Sequence, residues 1–150
     1  MGYRMPCRDI EALEPIAQKA CKLFLEKCQE TGLVIGICQT LRTAEYQNQL
    51  YQLGRTTPGK IVTNCDGYKS KSNHQDGMAF DYFQNIKGHE WDKSFYDKAA
   101  KIGKSLGLEM GHYWTKFVDS PHCNVPTSWR EPIEIKTDED LQRAIAKIIS

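Results

Sequence analysis

Hydrophobic residues recur along the chain with two different periods, which predict helices and short strands. From residue 9 to about 30 they return near the helical period, so this segment is expected to form one long amphipathic helix with Asp9 as N-cap and Gly32 as terminator. Residues 33–38 are apolar and rich in β-branched side chains, which is typical of a buried strand. A second helix is predicted over residues 43–53.

After the second helix the periodicity stops. Residues 55–76 are rich in Thr, Gly, Lys, Ser and Asn, and a loop of this length in a compact domain is usually functional, so it is a candidate binding loop. Further helices are predicted over residues 91–106 and 138–149, the second capped by Thr137, with strands near 108–110 and 121–125. The last helix has an apolar face that is expected to join the core, formed by Leu141, Ile145, Ile148 and Ile149. Helices around a small, mostly antiparallel sheet make an α+β fold, expected as one domain over residues 1–150.

The strand that follows Gly77 alternates in polarity and has a carboxylate on one face. The alternation predicts Met78, Phe80 and Tyr82 on one side, and Ala79, Asp81 and Phe83 on the other. Gly77 allows a tight turn after His74, and the small Ala79 leaves volume beside Asp81. A polar site is therefore expected on the second face of this strand.

Composition and charge exclude several classes of function. The 150 residues carry 20 basic and 19 acidic side chains, a formal net charge of +1, without the basic stripe that binds nucleic acid. No apolar stretch approaches the roughly 20 residues that span a bilayer, so no membrane insertion is expected. The first residues lack the features of a secretory signal, so we expect synthesis in the cytoplasm, and we expect a monomer.

The six cysteines are expected to be mostly free thiols. Their spacing is irregular and contains no CxxC pair, and a chain of 150 residues does not need disulfides to support a core. The same spacing disfavours a zinc site of four cysteines, whose ligands normally come in close pairs. Any metal chemistry is therefore expected from the four histidines and the carboxylates near them.

Two short polar clusters, residues 72–81 and 119–122, contain the side chains that a catalytic zinc ion requires. Such an ion takes three protein ligands, commonly imidazole nitrogen or carboxylate oxygen, and keeps a fourth position open for water. His74, Asp81 and His122 supply this set.

Asp119, three residues before His122, is the candidate general base. A carboxylate within reach of the metal can take a proton from a water molecule and later pass it to a leaving amine. Glu109 is the alternative base, and Asp119 could instead hold a turn or orient a metal histidine. Together these groups could hydrolyse an amide.

The same motifs resemble the LAS group of zinc peptidases, which includes VanY-type D,D-carboxypeptidases, VanX-type dipeptidases and L-alanyl-D-glutamate endopeptidases of phage lysins. The pattern SxHxxGxAxD over residues 72–81 and the pattern DxPH over residues 119–122 match that group. Residues 41–56 resemble the lysin segment YRSxxEQxxLYxxGRT, and residues 108–114 resemble LEWGGxW. The resemblance covers residues 33–125, with four motif blocks in the expected order.

This resemblance implies an LAS metallopeptidase fold, which is hedgehog/D,D-peptidase-like, and a role for each matched residue. It implies Zn²⁺ ligation by His74, Asp81 and His122, base catalysis by Asp119, a cation near the scissile carbonyl at Arg42, and a substrate contact at Ser72. Trp114 and His112 are candidate cleft residues, and Met110 and His112 stand where lysins often have Trp and Gly. The alternative roles are a surface charge for Arg42, a turn for Ser72, core packing for Trp114 and a position without consequence for His112.

One choice of residue separates the members of this group. The acid before the second metal histidine is Glu in the Van enzymes and Asp in many phage lysins, and this chain has Asp119. With the GRT stretch, it favours a bacteriolytic endolysin that hydrolyses the L-Ala-D-Glu amide of peptidoglycan stem peptides after release through a holin pore or lysis. The alternatives are a D,D-carboxypeptidase or dipeptidase of the same group, and a non-catalytic wall-binding module.

Overall fold

Four α-helices and a four-stranded sheet make up the fold of residues 3–133 and 137–149, the part of the chain that this computed structural model describes. The helices are α1 (Pro15–Glu30), α2 (Ala44–Gln52), α3 (Lys93–Ser105) and α4 (Asp138–Ile149). The strands are β1 (Ile35–Gln39), β2 (Ala79–Gln84), β3 (Glu109–Met110) and β4 (His122–Asn124). Two short 3₁₀ helices, Ile10–Ala12 and Gly111–Tyr113, lie before α1 and after β3. The predicted α+β fold is confirmed.

The sheet is antiparallel throughout, with the strand order β1-β2-β4-β3. In its register Asp81 of β2 lies opposite Gln39 of β1 on one side and opposite His122 of β4 on the other. Asn124 of β4 lies opposite Glu109 of β3. The register therefore brings polar residues from four separate segments into neighbouring rows.

The core lies between the sheet and the helices α1 and α3. Phe80 and Tyr82 are fully buried, as the alternation of β2 predicts, and the ring of Phe24 packs on both, with centroid distances of 5.8 and 5.0 Å. From α3, the rings of Phe95 and Tyr96 lie 6.0 and 5.5 Å from that of Tyr82. Because this face of β2 is committed to the core, the opposite face is left to form a site.

The first helix is shorter than predicted. Residues 10–12 form a separate 3₁₀ turn after Asp9, whose side chain makes no capping bond, and α1 begins only at Pro15. The ring of a proline pushes the preceding residue out of the helical region but suits the first helical turn, so Glu14 and not Asp9 is the N-cap of α1. The other predicted helices and strands are present, with ends shifted by at most two residues.

The apolar face of α4 does not join the core, which corrects the sequence-based expectation. Thr137 caps the helix as predicted, since its Oγ1 accepts a hydrogen bond of 3.1 Å from the N–H of Asp140. The four residues of the face are exposed, however: Leu141 by 41%, Ile145 by 43%, Ile148 by 84% and Ile149 by 79%. Helical periodicity identifies such a face but says nothing about a partner surface, and in the described residues α1 and α3 supply the helical layer of the core.

All six cysteines are free thiols, as the sequence predicts. None of the helices within residues 3–133 and 137–149 has the length and apolar character needed to cross a membrane.

Candidate metal centre

Three side chains converge on the polar face of the sheet. His74, Asp81 and His122 each bring one potential ligand atom within 4.8 Å of the others, and all three residues are buried. Nε2 of His74 lies 3.1 Å from Oδ1 of Asp81 and 3.2 Å from Nδ1 of His122, and the latter two atoms are 3.4 Å apart. The fold therefore assembles the predicted ligand set from the turn before β2, from β2 and from β4.

The imidazole of His74 is held with Nε2 toward this cluster. Its Nδ1 lies 2.8 Å from the carbonyl oxygen of Thr40, and because a carbonyl only accepts, Nδ1 carries the hydrogen and Nε2 keeps a lone pair. Burial lowers the pKa of His74, which favours the neutral ring. The turn after it passes through Gly77 at a φ of 69°, a conformation that suits glycine, as the sequence indicated. A neutral ring with a free Nε2 is the form that binds a metal ion.

His122 is oriented by the side-chain amide of Asn124 and, through it, by the carboxylate of Glu109. Its Nε2 is hydrogen-bonded to Oδ1 of Asn124, whose Nδ2 donates to Oε2 of Glu109 at 2.8 Å. Because the Glu109 carboxylate accepts, the amide nitrogen of Asn124 faces it and the amide oxygen faces His122. Nε2 of His122 is then the donor, which leaves the lone pair of Nδ1 directed at the cluster. Glu109, the alternative base, thus acts on the far side of His122.

Asp81 divides its two oxygens between the cluster and Arg42. Oδ1 faces the two histidines, while Oδ2 accepts a hydrogen bond of 3.1 Å from Nη2 of Arg42. Burial by itself would raise the pKa of the Asp81 carboxyl, but His74, His122 and Arg42 outweigh it and hold that pKa well below its usual range. Asp81 is therefore a carboxylate with one oxygen aimed at the cluster.

Two glutamines that sequence reasoning missed hold the guanidinium of Arg42. Nε donates to Oε1 of Gln39 at 2.8 Å, and Nη1 donates to Oε1 of Gln47 at 3.1 Å. Gln47 is fully buried, and its own Nε2 donates to Oγ1 of Thr63 and to the carbonyl of Cys65, so it also anchors the predicted binding loop. The signal for Gln39 was a polar residue directly after the apolar run 33–38, whereas the burial of Gln47 is visible only in the structure. Asn124, also missed, lies two residues after His122 on the same face of β4.

This arrangement fits a zinc ion. Two imidazole lone pairs and a carboxylate oxygen face each other at 3.1 to 3.4 Å, with both ring hydrogens bonded elsewhere. Ligand atoms bound at 2.0–2.1 Å to a tetrahedral zinc ion stand about 3.3 Å apart, which agrees with these distances. Burial lowers the pKa of His122, but the hydrogen bond and charge of Asp81, with the charge of Asp119, outweigh it and raise that pKa. The negative charges of Asp81 and Asp119 therefore favour a cation beside His122.

Asp119 stands beside the cluster. Its Oδ2 lies 3.9 Å from Nδ1 of His122, and its N–H donates to the carbonyl of Gly111 at 3.0 Å. A Cβ at Gly111 would run into the carbonyl oxygen of Asp119, so the close packing of this loop requires glycine. Burial, and then the charge of Asp81, raises the pKa of the Asp119 carboxyl. From this position a carboxylate can exchange a proton with a water molecule at the cluster.

A cavity of about 470 Å³ opens onto these groups. Asp81, Asp119 and His122 line it, whereas His74 is fully buried and does not. Residues 62–65 and 71–73 form part of the wall, so the loop predicted to bind a ligand does border the cleft.

Two of the predicted substrate contacts also face this cavity. Trp114 lines it, and its ring lies 5.1 Å from the ring of His122. Ser72 lines it as well, with Oγ accepting a hydrogen bond of 3.2 Å from the N–H of His74, which leaves the hydroxyl hydrogen for another partner.

His112 is not placed in the cleft. Within the part of the chain that the structure describes, it is absent from the residues that line the cavity. Its Nδ1 lies 2.8 Å from Oγ of Ser120 and its Nε2 lies 2.8 Å from Oδ1 of Asp97, so both ring nitrogens are engaged on another side of the loop. The predicted substrate contact at this residue therefore has no geometric support.

Comparison with known proteins identifies relatives of this chain. The sequence matches the VanY family, described as D-alanyl-D-alanine carboxypeptidase, over residues 10–116. Peptidoglycan L-alanyl-D-glutamate endopeptidase CwlK of Bacillus subtilis (strain 168) is 31% identical over 124 residues, which cover 75% of this chain and 73% of that protein. L-alanyl-D-glutamate peptidase of Listeria phage A118 is 29% identical over 125 residues, which cover 80% of this chain but only 40% of the phage protein.

Solved structures share the fold at low sequence identity. The L-Ala D-Glu endopeptidase ChiX of Serratia marcescens has a TM-score of 0.60 at 18% identity, covering 82% of this chain and 90% of its own. The vancomycin-resistance D,D-pentapeptidase VanY, in complex with Zn(II), has a TM-score of 0.55 at 13% identity, covering 75% of this chain and 72% of its own. The fold is thus of the LAS type, and the match in sequence shows that the chain belongs to the VanY family of metallopeptidases.

Proposed function

We propose that this protein is a zinc-dependent peptidoglycan endopeptidase that hydrolyses the L-Ala-D-Glu amide of stem peptides. The observation that carries the proposal is the convergence of three ligand atoms within 4.8 Å on the wall of a cavity, with the Asp119 carboxylate 3.9 Å from His122. The bond is suggested by two relatives whose names specify it, CwlK and the Listeria phage enzyme. His74, Asp81 and His122 would hold the ion.

Each remaining polar group then has a defined task. A zinc ion held by His74, Asp81 and His122 would acidify a water molecule and polarise the scissile carbonyl. Asp119 accepts the proton of that water and delivers it to the departing amine, a task suited to a carboxyl whose pKa burial raises. Arg42 keeps Asp81 ionised and in place. Three of its five N–H donors bond to Gln39, Gln47 and Asp81, and the other two can stabilise the carbonyl oxygen as it becomes negative.

The cavity wall suits an acidic peptide. Lys71 is exposed on the wall and supplies a cation for a carboxylate of the stem, while Trp114 and Phe117 supply apolar contact for its alanine methyl groups. Ser72 offers its hydroxyl hydrogen to a substrate carbonyl. The protein acts as a monomer in this proposal.

The biological role proposed is that of a phage or prophage endolysin, which is suggested by the relative from a Listeria phage. Such an enzyme is made in the cytoplasm and meets the cell wall after a holin or lysis releases it. Its partner is then the peptidoglycan stem peptide.

Mass spectrometry of the products released from purified peptidoglycan tests the proposal. An endopeptidase of this specificity exposes new N-terminal D-Glu, whereas a D,D-carboxypeptidase or dipeptidase releases free D-Ala or D-Ala-D-Ala. For variants of the proposed metal histidines, the matched control is His89→Ala, because His89 is an exposed histidine paired with Asp92 on the surface. Release of D-Ala without new D-Glu termini would mean that the protein cleaves at the D-Ala terminus of the stem and not at the proposed bond. Binding to walls without any product would favour the non-catalytic module.

A further inference from the structure

A hydrogen-bonded chain links helix α3 to the loop that carries Asp119. Nε2 of His112 lies 2.8 Å from Oδ1 of Asp97, and Nδ1 lies 2.8 Å from Oγ of Ser120. Asp97 belongs to α3 and His112 to the 3₁₀ helix after β3, while Ser120 directly follows Asp119. One imidazole therefore joins three segments of the chain.

The imidazole of His112 is enclosed and its partners are well defined. Its side chain is 11% exposed, and its ring lies 6.2 Å from the ring of Tyr96 and 5.7 Å from that of Tyr113. Hydrogen bonds from Lys93, and then from His112, lower the pKa of Asp97, which is therefore an anion that accepts. Because the carboxylate of Asp97 can only accept, Nε2 of His112 donates to it, and Nδ1 is the atom that faces the hydroxyl group of Ser120.

The two ends of this chain differ in how firmly they are held. The buried face of α3 is part of the core, and a Cβ at Gly103 would collide with Met110 of β3, so the helix and the strand are in direct contact. Residues 115–118, before Asp119, are largely exposed. The main-chain bonds from Asp119 to Gly111 and from His122 to Asp119 hold the loop where it returns to the sheet. The bond from Ser120 to His112, which is itself bonded to Asp97 of α3, adds an attachment at the residue next to the carboxylate.

We propose that His112 is a positioning residue, which with Asp97 and Ser120 forms a clamp that holds the Asp119 carboxylate beside the metal cluster. The catalytic consequence rests on the proposed function, whereas the clamp itself is a property of the folded protein. A displacement of about 1 Å in a catalytic group can cost about 10²-fold in rate, so a clamp at the adjacent residue affects turnover more than binding.

The clamp is distinct from a catalytic triad made of the same residue types. In a triad the serine oxygen attacks the substrate and must reach it. Among the residues that the structure describes, neither Ser120 nor His112 lines the cavity, while Asp119 does. The clamp therefore affects catalysis through the position of Asp119.

Hydrogen exchange of the zinc-loaded protein without substrate tests the clamp directly. In His112→Ala, the amides of Asp119 and His122 are expected to exchange about tenfold faster, because the loop loses its side-chain anchor. Zinc affinity should change less than about threefold, since the metal ligands are untouched. His112→Gln and His112→Asn each keep one of the two bonds and should recover part of the protection; they also replace His112→Ala if that variant does not fold. His89→Ala serves as the matched histidine control and should exchange as the wild type does.

Kinetics and a double-mutant cycle complete the test. On a stem peptide, kcat of His112→Ala should fall about tenfold with KM changed less than about twofold. Asp97→Ala should add little to His112→Ala, because each change removes the hydrogen bond between Asp97 and His112. Lys93→Ala, which breaks only the exposed pair with Asp97, is its control. Unchanged exchange and unchanged kcat in His112→Ala would overturn the clamp. If the wild type cleaves no peptide but the exchange rises as expected, the proposed function fails and the clamp stands.

Discussion

Asp81 and His122 are register partners on the adjacent strands β2 and β4, and Nδ1 of His122 lies 3.4 Å from Oδ1 of Asp81. Alternation along a strand means that a slip of one residue would turn His122 to the other face of the sheet. Two of the three proposed ligands are thus placed by the hydrogen-bonding of the sheet itself. The third, His74, approaches from the turn that Gly77 closes.

Removal of the metal is expected to abolish hydrolysis and to lower the Tm of the protein. A metal ion that binds the folded state stabilises the protein against unfolding. Loss of the ion leaves three acceptor atoms facing one another. Zinc added back should restore both properties in the wild type but not in His74→Ala. The measurements are peptide cleavage and calorimetry before and after EDTA. Cleavage that continues in metal-free protein would refute the proposed chemistry.

Replacement of Asp119 by alanine is expected to slow turnover by at least about 10²-fold while zinc stays bound. Its carboxylate lies beside the cluster, at 3.9 Å from His122, and is the proposed proton carrier. Steady-state kinetics and metal analysis of the same sample check this. Glu109→Gln is the companion variant, because Glu109 is the other carboxylate considered as the base and the glutamine still has an oxygen that accepts from Asn124. If the Glu109 variant lost more turnover than Asp119→Ala, Glu109 would be the general base instead of Asp119.

Asn124→Ala is expected to weaken zinc binding about 10- to 100-fold, because His122 then loses the partner that fixes which nitrogen faces the cluster. Competition with a chromogenic chelator measures the affinity. Glu109→Gln keeps an oxygen that can accept from Asn124, so its effect should be much smaller. Equal affinities for Asn124→Ala and the wild type would show that the orientation of His122 does not depend on this amide.

Gly111→Ala is expected to destabilise the protein by about 1–3 kcal/mol and to reduce activity. A methyl group there would strike the carbonyl oxygen of Asp119 and crowd Cβ of His122, so the loop has to move. Chemical denaturation gives the stability and peptide cleavage gives the activity. A variant as stable and as active as the wild type would mean that the loop has room that the structure does not indicate.

The six thiols are expected to differ sharply in reactivity. Burial raises the pKa of Cys21 and of Cys28 to about 12, so both resist a thiol reagent at pH 8 until the protein unfolds. Cys65 is only half-buried and lines the cavity, so it should react first, and a bulky adduct there should block cleavage. Time-resolved labelling with mass spectrometry identifies the order. Cys65→Ser should remain active after the same treatment, and inactivation of this variant would place the sensitive thiol elsewhere.

Local sequence patterns predicted most of the architecture, since hydrophobic periodicity and turn residues act over a few positions. Helices α2 and α3, the strands and the free cysteines all follow from such patterns, and the two polar clusters contain the proposed ligands together with Asp119. The break before Pro15 is also visible in the sequence, because proline constrains its neighbour, but the longer helical period obscures it.

Contacts between distant segments decided the rest. Which nitrogen of His122 faces the cluster depends on Asn124 and Glu109, which belong to different strands. The direction in which His112 points depends on Asp97, and the exposure of the α4 face depends on which helices already cover the core. A pattern along the chain determines which face of an element is polar or apolar. What meets that face is determined by the packing of segments far apart in sequence, and only the tertiary structure contains that information.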